Sequence, residues 1–246
     1  MTREQILLKD LRPEQAGLEI GPSFRPLAPK KSGWNIKIMD HASAAELREK
    51  YKPHHVDLSA IEEVDYIYRG ERLPDLVKNE QFDYILASHV IEHVPDLIGF
   101  LQDCGSILRP NGEIRLAIPD KRFCFDHNRP CSPLSRIIDC FEHKCKIQTV
   151  GAAAEYFLTV CKKNGLIAWD SKTPGDLENR HTLEEAKSAI LQTRNGVYLD
   201  IHNWVFEPIT FKDIISKLKI LNYIDLEIKQ ISETMGHEFF ASLQKS

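Results

Sequence analysis

Three residues suggest ligand chemistry because each lies in or just after a short apolar run: Glu19, Gly21 and Asp40. In Glu19-Ile20-Gly21-Pro22-Ser23 the glycine lets a ligand lie against bare backbone with a carboxylate close by, and about twenty residues later Asp40 can accept both hydroxyls of a ribose. Such a pair suits a nucleoside-bearing cofactor. The dinucleotide fingerprint G-x-G-x-x-G is absent, and prolines at 22, 26 and 29 spoil the helix whose N-terminus would hold a pyrophosphate, so a cofactor without phosphates fits better. Further along, Asp120-Lys121-Arg122-Phe123, Phe125-Asp126-His127-Asn128-Arg129-Pro130 and His202-Asn203-Trp204-Val205-Phe206 mix charge, imidazole and aromatic rings. They are poor core material, since every buried polar group needs a partner, and better walls for a pocket. Lys121, Arg122 and Arg129 can hold an anionic or hydroxyl-rich molecule by charge-assisted hydrogen bonds. Asp120, Asp126 and His127 offer oxygen and nitrogen ligands, but their spacing matches no metal motif and no metal site is expected.

The elements that must position these residues are legible as short apolar runs, each stopped by a turn or polar residue: 16–20, 35–39, 64–68, 82–87 and 113–118. Helical segments fill the gaps. Ser43 with Glu46 forms a capping box, and Pro95-Asp96 opens a helix carrying Leu97, Ile98, Leu101 and Leu108 until Pro110-Asn111-Gly112 turns the chain. This alternation predicts a parallel sheet covered by helices. After Pro119 come about ninety residues with helix patterns and no strong strand: one helix starts at Ser132-Pro133, another covers 152–161, and a third is capped by Thr182 with Glu185. A helix capped by Thr210 and two strands, 225–231 and 238–243, close the chain.

Composition removes several alternatives. With 246 residues, 42% hydrophobic and 28% charged, and a formal net charge of −4, the chain is an ordinary globular sequence without the basic surface that a nucleic-acid backbone demands. The opening MTREQILLKD carries charge where a signal peptide would be apolar, and no apolar run approaches a membrane span, so a cytoplasmic location is expected. The six cysteines include no C-x-x-C pair and are expected to be ordinary buried or neutral thiols. Nothing in the sequence specifies an oligomeric state.

The segments GLEIGPS at 17–23, IMDH at 38–41, FDYILASHVIEHVPD at 82–96 and ILRPNGEIRLAIPD at 107–120 resemble, in this order, the class I S-adenosylmethionine-dependent methyltransferases. The final helix with its strand pair resembles that family's last helix and antiparallel hairpin. The resemblance implies an α/β fold: a doubly wound, mostly parallel seven-stranded Rossmann-like sheet with a helical insertion after strand five and a C-terminal antiparallel hairpin. It also implies one domain over 1–246: a cofactor half (1–120), an insertion or substrate cap (121–207) and the last helix and hairpin (208–246). S-adenosyl-L-methionine is the cofactor it implies. Glu19 and Gly21, with Pro22, fall in the motif under the methionine moiety. Asp40, followed by His41, falls at the acid that holds the ribose hydroxyls. Ser88 and His89 line the cofactor and reaction centre, and Glu92 and His93 are the pair opening the next helix, where His93 serves either the site or the packing of that helix. Two departures stand out: a single glycine in a proline-rich first motif, which predicts a short or displaced first helix, and Arg69-Gly70-Glu71 where an adenine-contacting acid is expected.

Methyl transfer is an in-line displacement, so the protein must align the partners and remove a proton from the acceptor. Histidine titrates in the right range, and His202, His127, His181 and His89 are the candidates, with His202 favoured because Asn203 and Trp204 stand beside it. The expected acceptor is a small molecule, foremost a sugar or glycan hydroxyl held by Lys121, Arg122, Arg129 and Trp204. This follows a narrower resemblance to bacterial methyltransferases of surface-polysaccharide assembly. Alternatives are a natural product, lipid or amine acceptor, or a non-catalytic module that keeps the fold. A nicotinamide-dependent oxidoreductase is disfavoured by the missing glycines.

Overall fold

The structure is a computed structural model that describes residues 2–245. Its centre is a seven-stranded sheet built from β1 (Gly17–Ile20), β2 (Ile36–Asp40), β3 (Tyr66–Ile67), β4 (Phe82–Ser88), β5 (Leu108–Pro119) and, from the end of the chain, β8 (Leu226–Ile231) and β9 (Glu238–Lys245). The order is β3-β2-β1-β4-β5-β9-β8, in which β9 runs antiparallel to both its neighbours, β5 and β8, and the other six strands share one direction. This is the expected α/β sheet with its C-terminal antiparallel pair.

The central strands β1, β4 and the second half of β5 are buried on both faces, which is why they read as apolar runs rather than as alternation. On one face Leu18, Ile85, Leu116 and Phe239 join α3 (Leu73–Val77), α4 (Leu97–Ile107), α5 (Leu134–Glu142) and α8 (Pro208–Ile220) in the main core. On the other, Ile36, Ile38, Tyr84 and Phe240 pack under Leu7 of α1 (Arg3–Leu7) and under Leu27 and Ala28 of the segment after β1. That segment holds only turns and a 3-10 turn at Lys30–Ser32, so the proline-rich stretch replaces the first helix, as its composition predicts. The helix α2 (Ala44–Tyr51) is capped by Ser43 and Glu46 as expected.

Several boundaries differ from expectation. Leu108, read as helical, begins β5, and residues 109–112 form a register shift in that strand rather than a turn before it. Gly112 is required there, because a Cβ would lie 2.9 Å from the Arg109 carbonyl oxygen and 3.1 Å from that of Asp83. Pro208 starts α8 with Glu207 at its N-cap, while Thr210 sits one turn in, its hydroxyl accepting from the Glu207 amide at 2.9 Å. Between β5 and α8 the chain carries α5, α6 (Val150–Thr159) and α7 (Leu183–Arg194) and also a small antiparallel pair that composition did not reveal, β6 (Cys161–Lys163) with β7 (Leu177–Asn179). The six cysteines are free thiols, four of them buried.

Candidate active site

Register fixes what meets at the carboxyl edge of the sheet. Ile20 pairs with Met39 on one side and Ala87 on the other, so Gly21, Asp40 and Ser88 end up abreast. Gly21 has φ +67°, and a Cβ there would lie 3.1 Å from Val90 Cγ2, so only glycine keeps this backbone open. Pro22 follows, half-buried, and the Ser23 amide donates to Asp40 Oδ2 at 2.9 Å, which ties the loop after β1 to the end of β2. Asp40 is buried, and Oδ1 accepts from the His41 amide (2.7 Å) and lies 2.6 Å from His41 Nδ1. The His41 ring itself is half exposed and meets Lys50 through Nε2 at 2.9 Å.

Glu19 stands differently from expectation. Its side chain points to the face opposite Leu18 and Ile20, where its carboxylate accepts from the amides of Leu27 (2.7 Å) and Ala28 (3.3 Å). Burial pushes its pKa up to about 7 despite those two amides. Glu19 therefore shapes the loop that covers the sheet instead of presenting a free carboxylate to a ligand.

At the end of β4, Ser88 Oγ accepts from the Arg3 guanidinium of α1, and Arg3 Nε lies 2.8 Å from Glu238. His89 adopts φ +53°, and its Nε2 lies 2.7 Å from Glu238 Oε2. Burial works against ionisation of Glu238, but His89 and Arg3 hold its carboxyl below the usual range. Glu92 and His93 lie in the turn ahead of α4 rather than in its first turn, because Asp96 is the N-cap, its side chain accepting from the Gly99 amide.

The last residues of the insertion return to this turn. The amides of Asn203 (2.6 Å) and Trp204 (3.0 Å) both donate to the Glu92 carbonyl, and Trp204 Nε1 donates to the Val94 carbonyl at 2.7 Å. His202 is thereby set beside Glu92. Its Nδ1 lies 2.5 Å from Asp126 Oδ2, its Nε2 lies 3.9 Å from Glu92 Oε1, and its ring meets Phe125 at 4.5 Å and His93 at 4.8 Å between centroids. Arg129 is fully buried behind them, donating to Asp126 Oδ1 (2.7 Å), the His202 carbonyl (2.8 Å) and Glu155. Burial would raise the pKa of Asp126, yet His202 and Arg129 together hold it below the usual range. His93 Nδ1 lies 2.9 Å from Asp200; burial opposes its protonation, but Asp200 and Glu92 hold its pKa above the ordinary value.

Several residues expected to grip an acceptor are engaged inside the protein. Arg129 is an internal strut, and Trp204 is a core side chain with no exposed surface, stacked under Arg136 at 4.9 Å. Lys121 Nζ donates to the His127 carbonyl at 2.9 Å, and the half-exposed Arg122 forks onto Asp120 and reaches Thr234. His127 is half-buried with Nδ1 2.9 Å from the Arg122 carbonyl, and His181 packs on Phe157 at 4.6 Å beside Glu185, so neither joins His202. The Asp120, Asp126 and His127 trio is not assembled either, since both carboxylates already have partners. What sequence reading missed is the convergence of Glu92, Asp126 and His202, whose only sequence signal is a cluster of polar residues too dense for a core.

Residues 5–185 match the protein family described as "Methyltransferase domain". The chain belongs to this family. Bovine mitochondrial ubiquinone biosynthesis O-methyltransferase is 35% identical over 74 residues, which span 29% of this chain and 20% of that protein. The ubiquinone biosynthesis O-methyltransferase of Parvibaculum lavamentivorans is 55% identical over 38 residues, 15% of each chain. The chain thus spans a fifth or less of the length of these relatives. A Rhodobacter sphaeroides crystal structure described as a Zn-dependent alcohol dehydrogenase superposes over 99% of this chain and 88% of its own, with TM-score 0.52 and 12% identity, a likeness of fold alone.

The methyl donor of this methyltransferase domain is S-adenosylmethionine. The residues present fit it. The backbone is open at Gly21 with the Asp40 carboxylate beside it, which suits an amino-acid-bearing nucleoside, and no α-helix lies between β1 and β2 to hold a pyrophosphate. Asp40 already accepts bonds from Ser23 and His41, but a carboxylate has about four lone-pair sites and can accept ribose hydroxyls as well. No helix among the described residues is long and apolar enough to cross a membrane.

Proposed function

We propose that the chain transfers the methyl group of S-adenosylmethionine to a hydroxyl oxygen of a small molecule bound between the end of β4 and the insertion. The observation that carries this reading is the His202–Asp126 contact at 2.5 Å, held beside the turn after β4 by the amides of Asn203 and Trp204 on the Glu92 carbonyl. The O-methyltransferase names of the partial relatives support oxygen as the accepting atom. The saccharide acceptor expected from Lys121, Arg122, Arg129 and Trp204 loses its support, because these side chains are paired or packed inside the protein.

When bound, S-adenosylmethionine supplies a methyl group on positively charged sulfur. Gly21 and Asp40 hold and orient the nucleoside side, and the Ser88–His89 turn lies next to the reaction centre. Asp126 fixes the His202 tautomer by accepting from Nδ1, so the Nε2 lone pair is available to take the acceptor proton. Asp126 then stabilises the imidazolium, and Arg129 keeps Asp126 in place at 2.7 Å. Phe125, against the His202 ring, limits water on that side.

The test is labelled methyl transfer to a panel of phenolic, sugar and other hydroxyl compounds with wild type and His202→Ala. Loss of roughly 100-fold or more in turnover, with S-adenosylhomocysteine affinity unchanged, is expected for a general base. Full turnover by the variant would remove His202 from that role, and failure of the wild type to bind S-adenosylhomocysteine would remove the cofactor assignment.

A further inference from the structure

Glu92 is 1% exposed, and neither of its carboxylate oxygens has a hydrogen-bond partner among the described residues. Its nearest basic atoms are His89 Nδ1 at 3.5 Å and His202 Nε2 at 3.9 Å, both outside hydrogen-bonding geometry. A buried carboxylate left in this state is costly, and native proteins either pair such a group or bind something to it. The nearby guanidinium cannot serve, because Arg129 is committed to Asp126 and Glu155.

One ligand atom from each of Glu92, His93 and His202 falls within 4.8 Å of the other two. We propose that this trio binds a divalent first-row transition cation, with the remaining coordination position turned to the acceptor. Two imidazoles and one carboxylate form a donor set suited to zinc and its neighbours rather than to magnesium or calcium, which prefer oxygen throughout. Three protein ligands leave the open position that distinguishes a catalytic site from a closed structural one. Bonds of about 2.0–2.1 Å to zinc place tetrahedral ligand atoms about 3.4 Å apart, so the 3.9 Å between His202 and Glu92 must close by about half an ångström and the separations to His93, within 4.8 Å, by up to about 1.4 Å.

The surroundings carry the supporting groups that metal-binding histidines require. His202 has Asp126 on Nδ1, which leaves Nε2 for the cation, and the Asp200 carboxylate lies 2.9 Å from His93 Nδ1 as an ion-pair neighbour, outside hydrogen-bonding geometry. A second trio, His89, His237 and Glu238, lacks this character, because Glu238 is already compensated by Arg3 and His89.

The inference rests on the reading of this pocket as the acceptor site. With the cation in place the acceptor oxygen bonds to it and its O–H bond breaks, the proton passing to solvent; His202 is then a ligand, and it takes the acceptor proton only in the cation-free protein. The resulting oxyanion attacks the methyl carbon, the carbon–sulfur bond breaks, and its electron pair stays on sulfur as S-adenosylhomocysteine forms.

The experiment uses chelator-stripped full-length protein titrated with cobalt(II) and zinc(II), followed by visible absorption and calorimetry without acceptor. The expected result is one equivalent of cobalt with the intense visible bands of a four- or five-coordinate site, displaced by zinc. In Glu92→Gln the affinity should fall at least 10-fold with S-adenosylhomocysteine binding retained. Asp126→Asn, which leaves the ligands in place, should weaken zinc by about 10- to 100-fold. Absence of cobalt bands in the wild type, or unchanged zinc affinity in a Glu92→Gln protein that still binds S-adenosylhomocysteine, would overturn the site. Either result with S-adenosylhomocysteine binding intact leaves the methyltransferase reading standing, whereas loss of that binding in the stripped wild type counts against the reading itself.

Discussion

Replacing Glu19 by glutamine should abolish the effect of pH on stability at one position. Glu19 is buried, and its pKa is raised from 4.5 to about 7, so between these values the folded chain keeps a proton that the unfolded chain releases. Stability is therefore greatest on the acid side of 4.5 and is lost as the pH rises through 7. At about 1.4 kcal/mol per pH unit the loss approaches ~3 kcal/mol. Glutamine has no such titration. Its oxygen can keep the 2.7 Å bond from the Leu27 amide, while its NH2 group meets the Ala28 amide, which donated at only 3.3 Å, at a cost of about 1 kcal/mol. Glu19→Gln should thus match wild type to within a few tenths of a kcal/mol near pH 5, where about 0.8 kcal/mol of the Glu19 contribution is already lost, and be more stable by about 2 kcal/mol near pH 8. Urea unfolding followed by circular dichroism from pH 5 to 8 reads this directly as the difference between the two proteins, which cancels every other titrating group. Parallel stability curves would refute the assignment of a neutral, buried Glu19.

Gly21→Ala forces a side chain onto φ +67° and toward Val90; S-adenosylhomocysteine affinity by calorimetry should drop about 10-fold or more, with the fold intact by circular dichroism. Trp204→Ala should destabilise by about 3–5 kcal/mol in thermal or urea unfolding, since it removes a fully buried ring and its bond to the Val94 carbonyl. Arg129→Met should cost about 3–5 kcal/mol by the same measurement, because Asp126 is left buried with one cationic partner fewer; a change below about 1 kcal/mol would show that His202 alone compensates it.

That Gly21, Asp40 and Ser88 meet at one edge was legible because the signals are local. A glycine at a strand end and an acid at the next strand end need only strand alternation and parallel register to be brought abreast, and β1, β2 and β4 supply both. The acceptor side was legible only as composition. His202 was singled out for its neighbours Asn203 and Trp204, but those two anchor the insertion to the turn at Glu92 and Val94, and the partners that give His202 its character, Asp126 and Glu92, are distant in sequence. Arg129 and Trp204 looked like pocket walls because a buried guanidinium and indole need partners, and sequence cannot show that Asp126, Glu155 and the Val94 carbonyl provide them. The misplaced start of α8 has a different cause: Thr210 and Glu207 compete for the cap, and Pro208, which favours the first helical position, decides for Glu207.

The antiparallel strand β9 lies between β5 and β8, more than a hundred residues after β5 ends. During synthesis β5 therefore waits with an open, apolar edge while the insertion and α8 are made. Such an edge is a template for pairing with another chain. The last strand consequently acts as the latch of the nascent sheet. Shortening it, or slowing the chain through the insertion, should send newly made protein into aggregates even where every residue of the cofactor edge is intact.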